Sequence, residues 1–187
     1  MDEDIKKAVE VLKAGGTILY PTDTIWGIGC DATNAKAVQK LMQIKSRPKE
    51  FSFIILLENS RKITDYVEEV PDILWDLLES FDNPTTIIYP KAKRLAKNVI
   101  AEDGSIAIRV VNDEFCRNLI SAFGKPIVSS SANFSGETTP VMFRDISPEL
   151  KKKVDYVVKT NQRKLNKVKA STIIRLKMNG EFDVVRY

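Results

Sequence analysis

The stretch Thr17-Ile-Leu-Tyr-Pro-Thr-Asp-Thr-Ile-Trp-Gly-Ile-Gly29 places a short apolar run directly before a polar loop that contains two glycines. The apolar run predicts a buried strand over 17–20. The hydroxyls of Thr22 and Thr24, next to glycines at a strand end, suit a polar ligand that approaches the backbone closely. An ordinary turn in which Asp23 caps backbone amides would use the same residues, so the pattern alone leaves both interpretations open.

Helices and strands alternate on both sides of this stretch. Apolar spacing predicts helices over 4–14, 35–45, 60–68, 71–80 and 114–123. Strands are predicted over 53–57, 85–89, 105–111, 127–129, 154–158, 171–176 and 182–186. This alternation predicts an α/β fold with a mixed sheet, and the length of 187 residues favours a single domain over residues 1–187.

Composition excludes several kinds of chemistry. The chain has no histidine, which removes Ser-His-Asp and Cys-His catalysis and His-ligated zinc. Its two cysteines, Cys30 and Cys116, are too few for a disulfide framework or a cysteine-rich metal site. Because no apolar run of about 18 residues occurs, no transmembrane segment is predicted, and a reducing cytoplasm is the expected location.

Positive charge is concentrated near the C-terminus. The chain carries a net charge of +4, and residues 145–187 hold 11 lysines and arginines against 5 acidic residues. Such an excess can attract the phosphates of a nucleotide or of RNA, although a solvated lysine-rich surface has the same composition.

Three further segments carry polar residues that a fold alone does not require. Lys45-Ser-Arg-Pro48 ends the second helix, and we expect Lys45 and Arg47 to project there. Ala107-Ile-Arg-Val110 puts Arg109 inside an apolar strand, where it must reach solvent or meet an anion. Ser129-Ser-Ser-Ala-Asn-Phe-Ser-Gly136 follows a strand, at the sheet edge that ligands favour. These cations and hydroxyls suit nucleotidyl or phosphoryl transfer by positioning and charge neutralisation.

Taken in order, these motifs resemble the Sua5/YciO/YrdC family. The resemblance rests on YPTDTIWGIG, Lys45-x-Arg47-Pro48, AIRV, SANFSG and Ser171-Thr172, and it runs from about residue 5 to the C-terminus. It implies a twisted mixed sheet with flanking helices around a large open cleft. It also implies a nucleotidyltransferase, a threonylcarbamoyl-AMP synthase that converts L-threonine, bicarbonate and ATP into threonylcarbamoyl-AMP and pyrophosphate. Downstream proteins would then transfer the threonylcarbamoyl group to adenosine 37 of tRNA.

The resemblance also assigns roles to single residues. The catalytic set would be Lys45, Arg47, Ser131 and Asn133, and Mg²⁺ would accompany ATP without a metal site built from protein side chains. The ATP-binding set would be Arg47, Ser105, Ser131, Thr139 and Arg186. The threonine-binding set would be Thr24, Arg109, Ser129 and Ser171, with Arg109 suited to pair with the substrate carboxylate.

The chain departs from the family pattern at two places. Many members have a histidine where this sequence has Leu56, and many have a WPGPLT-like turn where this sequence has Phe81-Asp-Asn-Pro-Thr-Thr86. Two alternatives therefore stay open. One is a module that binds double-stranded RNA through its basic residues. The other is a related enzyme that makes a carbamoyl-adenylate from carbamoyl phosphate.

Overall fold

The computed structural model describes residues 2–46, 53–81, 83–162, 171–177 and 179–186. Within these ranges the α-helices are α1 (Glu3–Lys13), α2 (Ala35–Lys45), α3 (Ile63–Tyr66), α4 (Ile73–Glu79), α5 (Glu114–Phe123) and α6 (Pro148–Lys153). Short 3-10 turns cover Ser60–Lys62 and Phe143–Asp145. No helix in these ranges is long and apolar enough to cross a membrane.

The strands of the described residues form one mixed sheet. They are β1 (Ile18–Tyr20), β2 (Gly27–Gly29), β3 (Ile54–Leu57), β4 (Thr85–Tyr89), β5 (Ile106–Val110), β6 (Ile127–Ser131), β7 (Tyr156–Val157), β8 (Thr172–Leu176) and β9 (Phe182–Arg186). Their order is β7-β1-β2-β6-β3-β5-β4-β8-β9. The pairs β1–β7, β3–β5 and β4–β8 are parallel, and the other neighbours are antiparallel.

The two faces of this sheet are covered to different extents. On one face α2, α3, α4 and α6 pack through Leu41, Ile63, Leu74 and Leu150, so this face is largely closed. On the other face only α1 and α5, among the described helices, contribute to a core cluster. Because alternate residues of a strand point to opposite faces, the rest of this second face is left to the side chains of β3–β6 and β8. This arrangement produces an open cleft beside α1 and α5.

Local signals explain where the well-predicted helices begin and end. Asp2, Asn34 and Asp113 each accept a backbone amide as the N-cap of α1, α2 and α5. Gly124 ends α5 in the left-handed conformation at φ 77°. The helix predicted over 60–68 is instead a 3-10 turn followed by the four-residue α3.

Three parts of the sheet and its cover differ from the sequence-based expectation. The strand β2 lies within the segment interpreted as a loop, because Gly-Ile-Gly has low strand propensity and is held by its neighbours β1 and β6. Strand β6 extends to Ser131, two residues past the predicted end. Helix α6 was not predicted, since a six-residue helix with one buried side chain, Leu150, has no readable period.

Candidate active site

The cleft on the open face of the sheet has a volume of about 530 Å³. It is lined by side chains from the loop after β1 and from strands across the sheet. These are Thr22, Thr24, Ile25, Gly27, Ile54, Ile88, Ala107, Arg109, Ser129, Ser130, Ser131, Thr139, Ser171, Ile173 and Arg186. Hydroxyls and two arginines therefore surround an apolar floor, which suits a polar anionic ligand with an apolar part.

Arg109 is the buried cation at the floor of this cleft. Its side chain is 6% exposed, and its Nη2 lies 3.1 Å from Oδ1 of Asp23. Its Nη1 donates to Oγ1 of Thr24 at 3.2 Å. The Nε of Arg109 and the Oδ2 of Asp23 are buried without a hydrogen bond to the described residues. A buried guanidinium requires such a counter-charge, and its unused Nε keeps donor capacity for an anionic ligand.

The polar loop after β1 is a turn stabilised by Thr22. The Thr22 hydroxyl donates to the carbonyl of Ile25 at 2.7 Å and accepts the amide of Thr24 at 3.1 Å. Asp23 pairs with Arg109, so the interpretation in which Asp23 caps the turn is wrong. The turn presents Thr24 toward Arg109, 85 residues away in sequence.

One side of the cleft, here called the inner wall, consists of β2, β6 and the loop 132–136, with Lys45 behind them. The Lys45 ammonium donates to the carbonyls of Ser131 at 2.6 Å and Asn133 at 2.5 Å. It also lies 3.3 Å from Oδ1 of Asn133, and the Lys45 carbonyl accepts the amide of Ser135 at 3.1 Å. Lys45 is 3% exposed, so the expectation that it projects from the helix end is wrong. Its ammonium instead fixes the shape of the serine-rich loop.

Close backbone packing completes the inner wall. A Cβ added to Gly29 would lie 2.2 Å from the carbonyl oxygen of Val128 in β6. A Cβ added to Gly27 would lie 3.2 Å from the Ser129 hydroxyl, which can rotate. Below the wall, the Trp26 ring packs 4.8 Å from the ring of Phe143. Gly29 is therefore required for β2 to approach β6.

The other side of the cleft, here called the outer wall, consists of β4, β8 and β9. The hydroxyls of Thr86 and Ser171 lie 2.8 Å apart, and both residues are buried. Nη2 of Arg186 donates to the carbonyl of Ser171 at 2.9 Å. Strand β9 is the sheet edge, and Phe182, Val184 and Arg186 on it are all exposed.

The structure brings together most of the residues predicted for the site. Seven of them line the cleft: Thr24, Arg109, Ser129, Ser131, Thr139, Ser171 and Arg186. Lys45 lies behind the inner wall, and Asn133 lies in its loop without lining the cleft, with its side chain donating to the carbonyl of Glu137 at 2.6 Å. Ser105 precedes β5, is buried and bonds to Asp103, and it is not among the residues that line the cleft. Arg47 lies outside the described residues.

Several residues of the cleft were not predicted. The apolar floor comes from Ile54, Ala107 and Ile88, which are consecutive neighbours across β3, β5 and β4. Sequence patterns assign such residues to the core, so nothing in the pattern distinguishes them. Asp23 and Thr86 were also missed as partners, although each is a polar residue close to an apolar run, Asp23 after it and Thr86 before it, which is a usable signal.

Residues at both departures from the family pattern can be placed, except Asp82, which lies outside the described residues. Leu56 is fully buried in the cluster with α1 and α5 and pairs in register with Arg109, so it supports the floor without lining the cleft. Thr86, the last residue of the altered turn, contacts Ser171.

Burial raises the pKa of the Cys116 thiol, which donates to the carbonyl of Pro21 and therefore stays protonated.

A second groove lies outside the cleft, between α1 and α5, with a volume of about 960 Å³. Asp2, Asp113 and Glu114 line it, and no lysine or arginine of the described residues does. The smaller cleft is the better candidate for anionic substrates, because it holds the arginines and hydroxyls.

Comparisons with known proteins show to which family the chain belongs. The sequence model of Sua5_yciO_yrdC, described as "Telomere recombination", matches residues 10–187. The chain belongs to the Sua5/YciO/YrdC family. A family member from Pseudoalteromonas translucida named threonylcarbamoyl-AMP synthase is 36% identical over 157 residues, 82% of this chain and 84% of that protein. Another protein of that name, from Xanthomonas euvesicatoria, is 35% identical over 158 residues, which cover 83% of this chain and 84% of that protein.

Solved structures of Sua5/YciO/YrdC proteins share the fold. YciO of E. coli superposes with a TM-score of 0.84 at 25% identity, covering 97% of this chain and 87% of YciO. Sua5 of P. abyssi complexed with L-threonine gives a TM-score of 0.82 at 24% identity, covering 92% of this chain. The match covers 50% of the length of that Sua5. The mixed sheet with flanking helices expected from the sequence is therefore confirmed.

Proposed function

We propose that this protein is a threonylcarbamoyl-AMP synthase, which forms threonylcarbamoyl-AMP and pyrophosphate from L-threonine, bicarbonate and ATP. The observation that carries the proposal is the buried Arg109 at the floor of a hydroxyl-lined cleft. Its family setting supports it, because relatives 35–36% identical are named threonylcarbamoyl-AMP synthase.

Arg109 is the proposed anchor for the threonine carboxylate. Its guanidinium is held by Asp23 and Thr24 but retains an unpaired Nε, and a carboxylate can accept from a guanidinium edge. Thr24, Ser129 and Ser171 surround it as hydroxyl partners for the amino acid. The neighbouring floor of Ile54 and Ala107 suits the methyl group of threonine.

The remaining polar residues suit ATP. Ser131, Thr139 and Arg186 line the same cleft and offer donors to phosphate or ribose oxygens. Arg47, next to the end of α2, is the further cation that we assign to the phosphates. Lys45 and Asn133 act by holding the loop that carries Ser131.

The reaction needs no histidine. Condensation of the threonine amine with bicarbonate gives an N-carboxylate and water, and a carboxylate oxygen then attacks the α-phosphorus of ATP. The new P–O bond forms as the bond to the β-phosphate oxygen breaks and pyrophosphate leaves. The protein's contribution is to bring three anions together, which arginines and hydroxyls make less repulsive. We propose that Mg²⁺ enters on the phosphate oxygens of ATP, as part of the substrate.

The product is an adenylate that other proteins would consume by transferring the threonylcarbamoyl group to tRNA. We propose a reducing cytoplasm as the location, in keeping with two free, buried cysteines. The excess of basic residues within 145–187 favours RNA binding as the second candidate function, and the test below separates it from catalysis.

Pyrophosphate release tests the proposal directly. The protein is incubated with ATP, Mg²⁺ and bicarbonate, with L-threonine, with L-serine or with neither amino acid. We expect release that depends on threonine and on bicarbonate. Arg109→Lys keeps the charge but loses the planar fork, so the KM for threonine should rise about tenfold or more. Arg117→Lys on the exposed face of α5 is the matched control and should change nothing.

Other outcomes would favour the alternatives. Adenylate formation from carbamoyl phosphate without threonine would indicate the related carbamoyl-adenylate enzyme. Absence of pyrophosphate release, together with RNA binding that weakens steeply with salt, would indicate the RNA-binding module.

A further inference from the structure

Thr86 is a buried polar residue within strand β4. It is fully buried in β4, directly before Ile87 and Ile88. Its hydroxyl lies 2.8 Å from the Ser171 hydroxyl. A buried hydroxyl costs free energy unless it is hydrogen-bonded, and valine has the same shape without that cost. The hydroxyl of Thr86 therefore has a use that packing alone does not explain.

The position of Thr86 connects the two parts of the proposed threonine site. Strand β4 pairs with β5 through Ile88 opposite Ala107 and Ile87 opposite Ile108. One step further in this antiparallel register, Thr86 lies beside Arg109, on the same face of the sheet. On its other side, β8 pairs with β4 in the register of Thr86 with Ile173. Thr86 thus lies between Arg109 in β5 and the chain that carries Ser171.

Ser171 itself is held at two points. Arg186 donates to its backbone carbonyl at 2.9 Å, and Thr86 contacts its side chain. A serine hydroxyl otherwise rotates among three staggered positions. A hydroxyl is both donor and acceptor, so the contact with Thr86 fixes its rotation and leaves its remaining hydrogen-bonding capacity to a ligand. Ser171 lines the cleft, whereas Thr86 does not.

We propose that Thr86 is a positioning residue for threonine binding, which orients the Ser171 hydroxyl toward the amino acid held by Arg109. This inference rests on the proposed function, in which Ser171 and Arg109 bind threonine. Thr86 acts through Ser171, so its loss weakens binding of the amino acid and leaves binding of ATP unchanged.

The test compares Thr86→Val with Thr86→Ser in steady-state pyrophosphate release. Thr86→Val keeps the branched shape and removes the hydroxyl, and the loss of one positioned hydrogen bond should raise the KM for threonine about tenfold. The KM for ATP should stay within about twofold. Thr86→Ser keeps the hydroxyl and should restore the threonine KM to within about threefold of the parent value.

Two further variants separate positioning from a general structural effect. Thr85→Val removes a hydroxyl from the neighbouring residue, which bonds to the Asn83 carbonyl, and should leave both KM values unchanged. In a double-mutant cycle, Thr86→Val should have less than about a twofold effect in a Ser171→Ala background, because its target is then absent. If Thr86→Val does not fold, Thr86→Ala takes its place with the same expected shift.

Each result decides the inference. An unchanged threonine KM in a folded Thr86→Val protein would overturn it, as would equal increases in the KM values for threonine and ATP. A full effect of Thr86→Val in the Ser171→Ala background would also overturn it. A parent protein without threonine-dependent release would overturn the proposed function and this inference together, whereas failure of the inference alone appears only in the variants.

Discussion

The inner wall of the cleft is held by buried hydrogen bonds between distant chain segments, whereas the outer wall ends on an exposed edge strand. The buried ammonium of Lys45 in α2 donates to the carbonyls of Ser131 and Asn133. At Gly29, β2 lies so close to β6 that the space admits no Cβ. On the outer wall, Ser171 is held by one hydroxyl and by Arg186 on an exposed strand. The inner wall is therefore built for rigidity, whereas the outer wall can change with less effect on folding.

The largest effect should come from Gly29→Ala. A methyl group 2.2 Å from the Val128 carbonyl oxygen must push β2 and β6 apart, so we expect a loss of about 3–5 kcal/mol in the free energy of unfolding. Urea denaturation measures it. Gly27→Ala in the same strand meets the rotatable Ser129 hydroxyl at 3.2 Å and the Thr22 and Tyr20 side chains at ordinary contact distances, so it should cost less than about 1 kcal/mol. A loss in Gly29→Ala as small as that expected for Gly27→Ala would show that β2 can move away from β6 at little cost.

Lys45→Met should have the next largest effect. It leaves the carbonyls of Ser131 and Asn133 buried without their charged donor, which should lower the free energy of unfolding by about 2 kcal/mol. Activity should fall further than stability, because the loop that carries Ser131 loses its shape. The exposed Lys152 on α6 is the matched control, and Lys152→Met should stay within about 0.5 kcal/mol. A stable, fully active Lys45→Met protein would contradict the positioning role.

The smallest effect on stability should come from Arg186→Ala on the outer wall. The lost bond to the Ser171 carbonyl lies on an exposed strand, so unfolding should change by less than about 1 kcal/mol. The KM for ATP should nevertheless rise about tenfold if Arg186 donates to the nucleotide. Thermal unfolding measures the change in stability, and steady-state kinetics on the same preparation measure the KM for ATP. A stability loss as large as that of Lys45→Met would remove the difference between the walls.

The same difference explains how much could be predicted from the sequence. Helices α1, α2 and α5 follow from apolar spacing and from caps such as Asn34, all of which are local signals. The serine-rich loop of the inner wall was also found, because its hydroxyls follow one another in the chain. Strand β2 was missed because its two glycines pair only in the context of β1 and β6.

Contacts between distant residues could not be read from local patterns. Arg109 was predicted to meet an anion, and its partner Asp23 is known only once β5 lies beside the loop after β1. The Thr86–Ser171 contact likewise joins residues 85 positions apart. Lys45 was recognised as important, but its buried position behind the loop depends on the packing of α2 against β6. The sequence thus predicted which side chains matter, but it did not predict which distant residues they contact.

The strand order has a consequence for folding during synthesis. Strand β6 joins two groups, β7-β1-β2 on one side and β3-β5-β4-β8-β9 on the other. As the chain leaves the ribosome, β1 to β5 appear first, and no strand pairing among the described residues joins these halves until Ile127–Ser131 follows. Closing such distant pairings is slow. The strand that unites the halves also carries Ser129 and Ser131, so the inner wall of the cleft forms when the halves join, whereas the outer wall waits for β8 and β9.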